Sequence, residues 1–156
     1  SAGRFVGYYS SVEVEMSVAE NKELLAQYIT EVWDEANLDA IRKFLSPNFK
    51  RHLSPLLPPV DLDGQIERLA GFRSAFPDIA VTVEEVIAEG DRVAFRSTMR
   101  GTHSGEFAGI PPTGIQVTVG LLDAIRFEDG RFAEQWGGPD LFDLLRQLGA
   151  SYTLSE

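Results

Sequence analysis

A chain of 156 residues, 44% hydrophobic and 24% charged, has the length and composition of one soluble globular domain, able to bury roughly two thirds of the surface its unfolded form exposes. Its formal net charge of -10, without any basic run, argues against nucleic acid and anionic membrane as partners. Cys 0 removes disulfides, thiol nucleophiles and thiolate-bound zinc, and His 2 excludes a three-histidine metal site. Acid-base chemistry must then lean on carboxylates, and without a phosphate loop, a dinucleotide fingerprint, a Ser or Cys nucleophile motif or a His-rich metal spacing, cofactor-free and metal-free chemistry, or none, is expected.

Residues 1–15 show neither the apolar segment nor the cleavage pattern of a secretory signal, and are expected to form a loose arm or tag outside the fold. Residues 16–150 form a single expected domain and residues 151–156 a tail. Apolar stretches such as Val117 to Leu122 fall far short of the ~20 residues that span a bilayer, so a cytoplasmic location is expected. Ser17 and Glu20 form a capping box, and Leu24, Leu25, Tyr28, Ile29, Val32, Trp33 and Ala36 recur at helical spacing behind it. A second short helix is expected over Leu38 to Leu45, a brief strand over Phe49 to Leu53, and a third helix from an Asp61 cap to Phe76-Pro77.

From Ala80 the apolar period changes to two: Val93, Phe95, Ser97 and Met99 alternate with Arg92, Arg96 and Arg100. Gly90-Asp91 marks a turn, a loop follows from Thr102 to Gly114, and a long strand from Ile115 to Phe127 turns at Asp129-Gly130 into Arg131 to Gly138. A last short helix is expected over Leu141 to Leu148. Three helices followed by an antiparallel meander give an α+β fold in which a curved sheet closes over the helices and encloses a cavity.

A two-residue turn at Asp129-Gly130 would pair Glu128 with Arg131, Ile125 with Glu134 and Asp123 with Trp136. One strand face then gathers Val117, Val119, Leu121, Ile125, Phe127, Phe132 and Trp136 with two acids, Asp123 and Glu134. A carboxylate among apolar neighbours loses hydration, which raises its pKa toward the range useful for general acid or base work. Asp123 is thus the leading catalytic candidate, unless a bulge at Gly120 inverts the strand and turns it to solvent. Glu134, nearer the turn, suits a pair with an arginine at the rim.

Asp140 is a second acid at the cavity or the N-cap of the last helix. His103, beside Gly101 and Gly105, is placed to exchange a proton at the cavity mouth, or is a hydrogen-bonded loop residue; His52 is a weaker candidate. Arg126 points outward under ideal pairing. Tyr28, Trp33, Phe44, Phe72, Phe76 and Phe95 are core residues by default, some of which must line any pocket.

Phe76-Pro77-Asp78, Gly90-Asp91-Arg92-Val93-Ala94, Gly101-Thr102-His103, Gly109-Ile110-Pro111-Pro112-Thr113-Gly114, Arg126-Phe127, Asp129-Gly130-Arg131, Glu134-Gln135-Trp136 and Gln147-Leu148-Gly149 follow one another in an order and spacing that resembles the SnoaL-like polyketide cyclase family. The likeness runs from Ser17 to Gly149. It implies the cone-shaped α+β barrel of nuclear transport factor 2, with a curved antiparallel sheet wrapped on three N-terminal helices and a short C-terminal helix. It also implies a small-molecule substrate, expected to be a polyketide, an acid-base ring closure without cofactor or metal, and a homodimer. In the family's aldol cyclases a catalytic Asp follows the Glu-His-Trp-like segment; Gly137 stands at that position here, Gln135 at the family histidine, and Asp123 at the partner histidine.

Asp123, His103 and Gln135 are accordingly the expected catalytic residues. Trp136, Tyr28, Trp33, Phe95, Met99, Phe107, Ile110, Arg126 and Asp140 are expected to bind substrate, with the Phe107 to Thr113 loop as a lid over the mouth or as an ordinary connection. Two other functions stand beside cyclisation. One is epoxide opening, known on the same barrel with an Asp-Arg-Asp arrangement, although Asp123 and Arg126 lie three apart. The other is a non-catalytic module that binds a small molecule.

Overall fold

A computed structural model of the chain describes residues 17–151; the expected arm at 1–15 and the end of the tail lie outside the described residues. Helix α1 runs over residues 17–28, so Ser17 is already helical, and continues as a π-helical segment, Ile29–Asp34. This wider turn is closed by the Glu35 N–H, which donates to Thr30 O at 2.9 Å. Arg73 from the third helix donates to the carbonyls of Val32 and Trp33, fixing the end of α1 against the rest of the domain. A 3-10 turn, Leu38–Ala40, leads into α2 (Ile41–Phe44), close to the expected second helix, and β1 (Leu45–His52) follows at once, where the sequence suggested a break at Ser46-Pro47 and a shorter strand from Phe49.

Helix α3 (Leu62–Ala75) begins as expected at Asp61, whose carboxylate accepts from the Gly64 N–H at 2.9 Å, and stops before Pro77. The meander consists of β2 (Ala80–Glu89), β3 (Arg92–Thr102), β4 (Gln116–Glu128) and β5 (Arg131–Pro139), and α4 (Leu141–Gln147) ends the fold. The Asp129-Gly130 turn has φ of 51° and 69°, the left-handed pair that a tight hairpin requires. Asp140 is the N-cap of α4, accepting from the Asp143 N–H at 3.0 Å.

The strand order is β1-β5-β4-β3-β2, one curved sheet with the helices across its concave face. The α+β cone expected from the sequence is therefore present, with one difference. The sheet is mixed and stays open: β1 lies parallel to β5, while the remaining neighbours are antiparallel. No hairpin joins β1 to its neighbour, so the helices and meander between them set its direction. Inward residues of β3 and β4, among them Val93, Phe95, Met99, Val117, Val119 and Ile125, pack with Tyr28, Val32, Phe44, Leu69 and Phe72 into one core. Among the described residues no helix is long and apolar enough to cross a membrane.

The β4–β5 register departs from simple hairpin counting. Phe127 pairs with Phe132, but Arg126 pairs with Glu134, so Ala133 is an extra residue on β5. Beyond it the pairs are Ile125 with Gln135, Ala124 with Trp136 and Asp123 with Gly137. The bulge turns Gln135 inward and sends Glu134 and Trp136 to the outer face, which corrects the inward placement of both. Gly120 carries no bulge, and Asp123 keeps its inward position in the alternation of β4.

Gly137 has φ +87°, and a Cβ there would collide with the carbonyl oxygen of Leu122. Gly137→Ala should cost on the order of 3 kcal/mol or more in urea unfolding. Gly120→Ala, with no atom within 4 Å of the added carbon, should stay within about 0.5 kcal/mol.

Candidate active site

Three inward side chains from three adjacent strands meet at one carboxylate. Arg51 of β1 pairs with Gln135 of β5, which pairs with Ile125 of β4; Asp123 lies two residues along β4, opposite Gly137. Because Gly138 has no side chain, the Arg51 guanidinium has room beside β5: a Cβ there would lie 2.8 Å from its Nη2. The Arg51 Nη2 donates to Asp123 Oδ1 at 3.1 Å and to the Gly137 carbonyl at 2.7 Å, and Gln135 Nε2 donates to the same Oδ1 at 2.9 Å. Both carboxylate hydrogen bonds thus fall on Oδ1, and no described residue occupies Oδ2.

The pair is almost wholly removed from solvent, with side-chain exposures of 4% for Arg51 and 3% for Asp123. Burial raises the Asp123 pKa above its ordinary value; Arg51 and the Gln135 hydrogen bond oppose the shift without reversing it. Tyr28, also buried, has its phenol pushed up to about 12 by loss of hydration, so it keeps its proton at every physiological pH.

These groups line an internal cavity together with Ile29, Trp33, Gln65, Arg68, Leu69, Phe72, Val81, Phe95, Ser97, Met99, Leu121 and Pro139. About 40 Å³ is open to water centres, room for roughly three waters at 10–15 Å³ each. A larger guest therefore requires side chains at the rim to move. Arg68 and Pro139 also border an outer hollow of about 300 Å³ with Leu53, Leu122, Gly137, Gly138 and Leu141, which marks the way in. Arg51 Nε, Gln65 Oε1 and Ser97 Oγ are buried at the cavity without a hydrogen-bond partner among the described residues. Such atoms cost about 1–3 kcal/mol each when left unpaired, and together they offer donors and an acceptor to a polar guest.

Of the residues singled out from the sequence, Asp123, Gln135, Tyr28, Trp33, Phe95 and Met99 come together around this cavity. The others do not. His103 is fully buried away from it; its Nδ1 lies 2.9 Å from Thr113 Oγ1 and accepts the Thr113 N–H at 3.2 Å, while its ring packs on Phe76. Phe107 packs on Phe72 and Phe76 from outside the cavity, and Ile110 closes a turn with it. The segment from Phe107 to Thr113, expected as a lid or as an ordinary connection, is anchored at its root, where the N–H groups of Ser104 and Gly105 both donate to Ala75 O.

Trp136 lies on the outer face, stacked on His52 with 5.0 Å between ring centroids, because the Ala133 bulge reverses its side. Arg126 shares that face, donating to Glu134 at 2.6 Å. Asp140 is spent on capping α4. Arg51, Gln65, Arg68 and Ser97 were not singled out from the sequence. Arg51 falls on a short strand whose partner is some eighty residues away, and Gln65 and Arg68 look like ordinary polar helix positions; only the residue pair Arg51-His52 on a strand, one inward and one outward, carried a usable signal. Among the described residues no cluster of His, Cys, Asp or Glu could hold a metal ion.

The raised pKa of Asp123 fixes the sign of a pH effect. The folded state binds this proton more tightly than the unfolded chain, so this group's contribution to stability falls as pH rises from its ordinary 3.8 through the folded value. Glu134, Asp78 and Asp143, all lowered, act the other way and lose their contribution as pH falls below the ordinary carboxylate range. Urea unfolding of wild type and Asp123→Asn should show the wild type losing stability relative to the variant as pH rises above 3.8. A wild-type advantage that grows with pH would mean that Arg51 outweighs burial.

The chain matches the SnoaL-like polyketide cyclase family over residues 23–148. No curated protein matches it. Among solved structures it is similar to AclR, a candidate hydroxylase from Streptomyces galilaeus, with 35% identity, coverage of 85% of this chain and 97% of that one, and a TM-score of 0.77. It is also similar to IdmH, a candidate polyketide cyclase from Streptomyces antibioticus (33% identity, 83% and 99% covered, TM-score 0.72), and to TsrD from Streptomyces laurentii (29%, 85% and 97%, TM-score 0.75). With the family match spanning most of the described residues and the fold shared with these solved structures, the chain belongs to the SnoaL-like polyketide cyclase family.

Proposed function

We propose that this protein closes a ring on a polyketide or related intermediate, with Asp123 as the group that moves the proton. The observation that carries the proposal is the environment of Asp123: a buried carboxyl, raised by desolvation, fixed through Oδ1 by Arg51 and Gln135 and left free at Oδ2 beside an aromatic and aliphatic cavity. Asp123 Oδ2 takes a proton from a carbon activated by neighbouring carbonyls. The resulting enolate carbon bonds to a ketone carbonyl of the same molecule, and the new alkoxide recovers the proton from the Asp123 carboxyl. Atoms and charge balance without an external reagent.

Gln135 and Arg51 position the acid, and Tyr28, protonated throughout, donates a hydrogen bond to a developing oxyanion. Folding a flexible chain so that its reacting ends meet contributes up to about 7–11 kcal/mol in well-oriented systems, and the lining of Trp33, Phe72, Phe95 and Met99 supplies that shape. Asp123 is the single acid among the lining residues, so the two-carboxylate arrangement of epoxide hydrolases has no counterpart in this cavity. The likeness to AclR favours a second reading, oxygenation of a polyketide. Two copies joined through the outer sheet face belong to the same proposal; light scattering at micromolar concentration should give twice the chain mass, and a monomer would remove that part.

The test is incubation with linear and partly cyclised poly-β-ketones, each as the free acid and as the ester, with products resolved by mass. Ring closure gives an isomer or loss of water, oxygenation a gain of one oxygen atom. Asp123→Asn should lower kcat by about 10²–10⁴-fold and leave ligand binding within a few-fold. Turnover unchanged in Asp123→Asn would overturn the role of Asp123; binding without turnover by the wild type on every substrate would favour a carrier.

A further inference from the structure

The cavity carries more positive charge than the proton transfer at Asp123 uses. Arg51 and Arg68 both border it, against one acid, in a chain whose net charge is -10. Arg51 is engaged by Asp123 and the Gly137 carbonyl. Arg68 is not: it is half-buried and makes neither a hydrogen bond nor an ion pair, and its guanidinium lies 5.2 Å from the centroid of the Phe72 ring. Burial and the nearby Arg51 charge lower its pKa to about 10, which still leaves it charged at neutral pH.

The two guanidinium groups converge on one point. A Cβ at Gly138 would lie 2.8 Å from Arg51 Nη2 and 3.5 Å from Arg68 Nη2, so both guanidinium groups come up against this glycine. Gly138 borders the outer hollow, whose rim includes Leu53, Leu122 and Leu141, exposed at 46%, 67% and 44%. Arg68 offers a free fork, the engaged Arg51 adds a second positive charge beside it, and together with the apolar hollow they form a receptor for a carboxylate with an apolar body.

We propose that Arg68, together with Arg51, binds a carboxylate of the substrate above Gly138, so that the protein acts on a free acid rather than on its ester or amide. The proposal rests on the reading of this cavity as the substrate site and adds the substrate's charge. Arg68 is the specificity-determining residue. The carboxylate anchors one end of the molecule and leaves the apolar remainder to reach Asp123.

Phenylacetate and its neutral counterpart phenylacetamide test this by calorimetry, with the Gly138 amide resonance as a positional reporter. The acid should bind about tenfold more tightly or better, as a charge-assisted contact implies, and should shift the Gly138 resonance. Arg68→Gln should bring the two ligands within about twofold, and Arg68→Lys, which keeps a point charge without the fork, should restore part of the difference. Asp123→Asn should preserve or increase the preference, because it removes a negative charge from the cavity. A failed ring-closure assay with the preference intact would therefore count against the catalytic role alone. Equal binding of acid and amide, a preference that survives Arg68→Gln, or binding that leaves Gly138 unmoved would each overturn the carboxylate site.

Discussion

An ionised carboxylate cannot be enclosed in a protein core unless something replaces its lost water. In this fold the replacement is Arg51, which reaches Asp123 across the strand between them, and the rest of the cavity is arranged around that reach. β1 must lie beside β5 with Arg51 inward, Gln135 must be turned inward by the Ala133 bulge, and Gly138 must be bare to leave room for the guanidinium. A side chain at 137 would strike the Leu122 carbonyl in the present backbone. The residue that departs from the aldol-cyclase pattern contributes its carbonyl, which accepts from Arg51, and Asp123 lies opposite it on the neighbouring strand.

The compensation is only partial. Arg51 and Gln135 engage one oxygen of the carboxyl, burial still shifts its pKa upward, and several other polar atoms around the cavity have no partner. A domain optimised for stability alone would place apolar side chains at these positions. Three of the five buried side-chain polar atoms without a partner among the described residues lie at this one cavity, the pattern of a site whose polar groups are completed by a substrate. The same argument covers Arg68, a cation held at the entrance by an aromatic ring instead of by an acid.

Much of this was legible in the sequence. The alternation of β3 and β4, the Asp129-Gly130 turn, the Asp61 and Asp140 caps and the inward position of Asp123 follow from local periodicity and turn chemistry. What was not legible depends on long-range pairing. A one-residue bulge at Ala133 leaves no local signature and reverses every side chain beyond it, so strand counting put Trp136 and Glu134 on the wrong face and left Gln135 outward; Gln135 was singled out only through the family resemblance, while Asp123, on β4, was placed correctly. Arg51 and Arg68 reach the cavity only because β1 and α3 are brought beside β5, which no spacing within either segment reveals. His103 was misread for a different reason: its neighbouring glycines suggested an open mouth, and they instead allow a tightly packed, fully buried connection.

The central claim is that Asp123 is a desolvated acid whose proton affinity is raised despite its arginine partner. A carbon-13 NMR titration of its side-chain carboxyl, assigned by the signal lost in Asp123→Asn, tests it directly. The account predicts a midpoint above the ordinary 3.8 and a further rise in Arg51→Met, which removes the cation that holds the value down. A midpoint at or below 3.8 would show that the ion pair dominates and that Asp123 is a structural anion, unable to serve as the proton-transferring group.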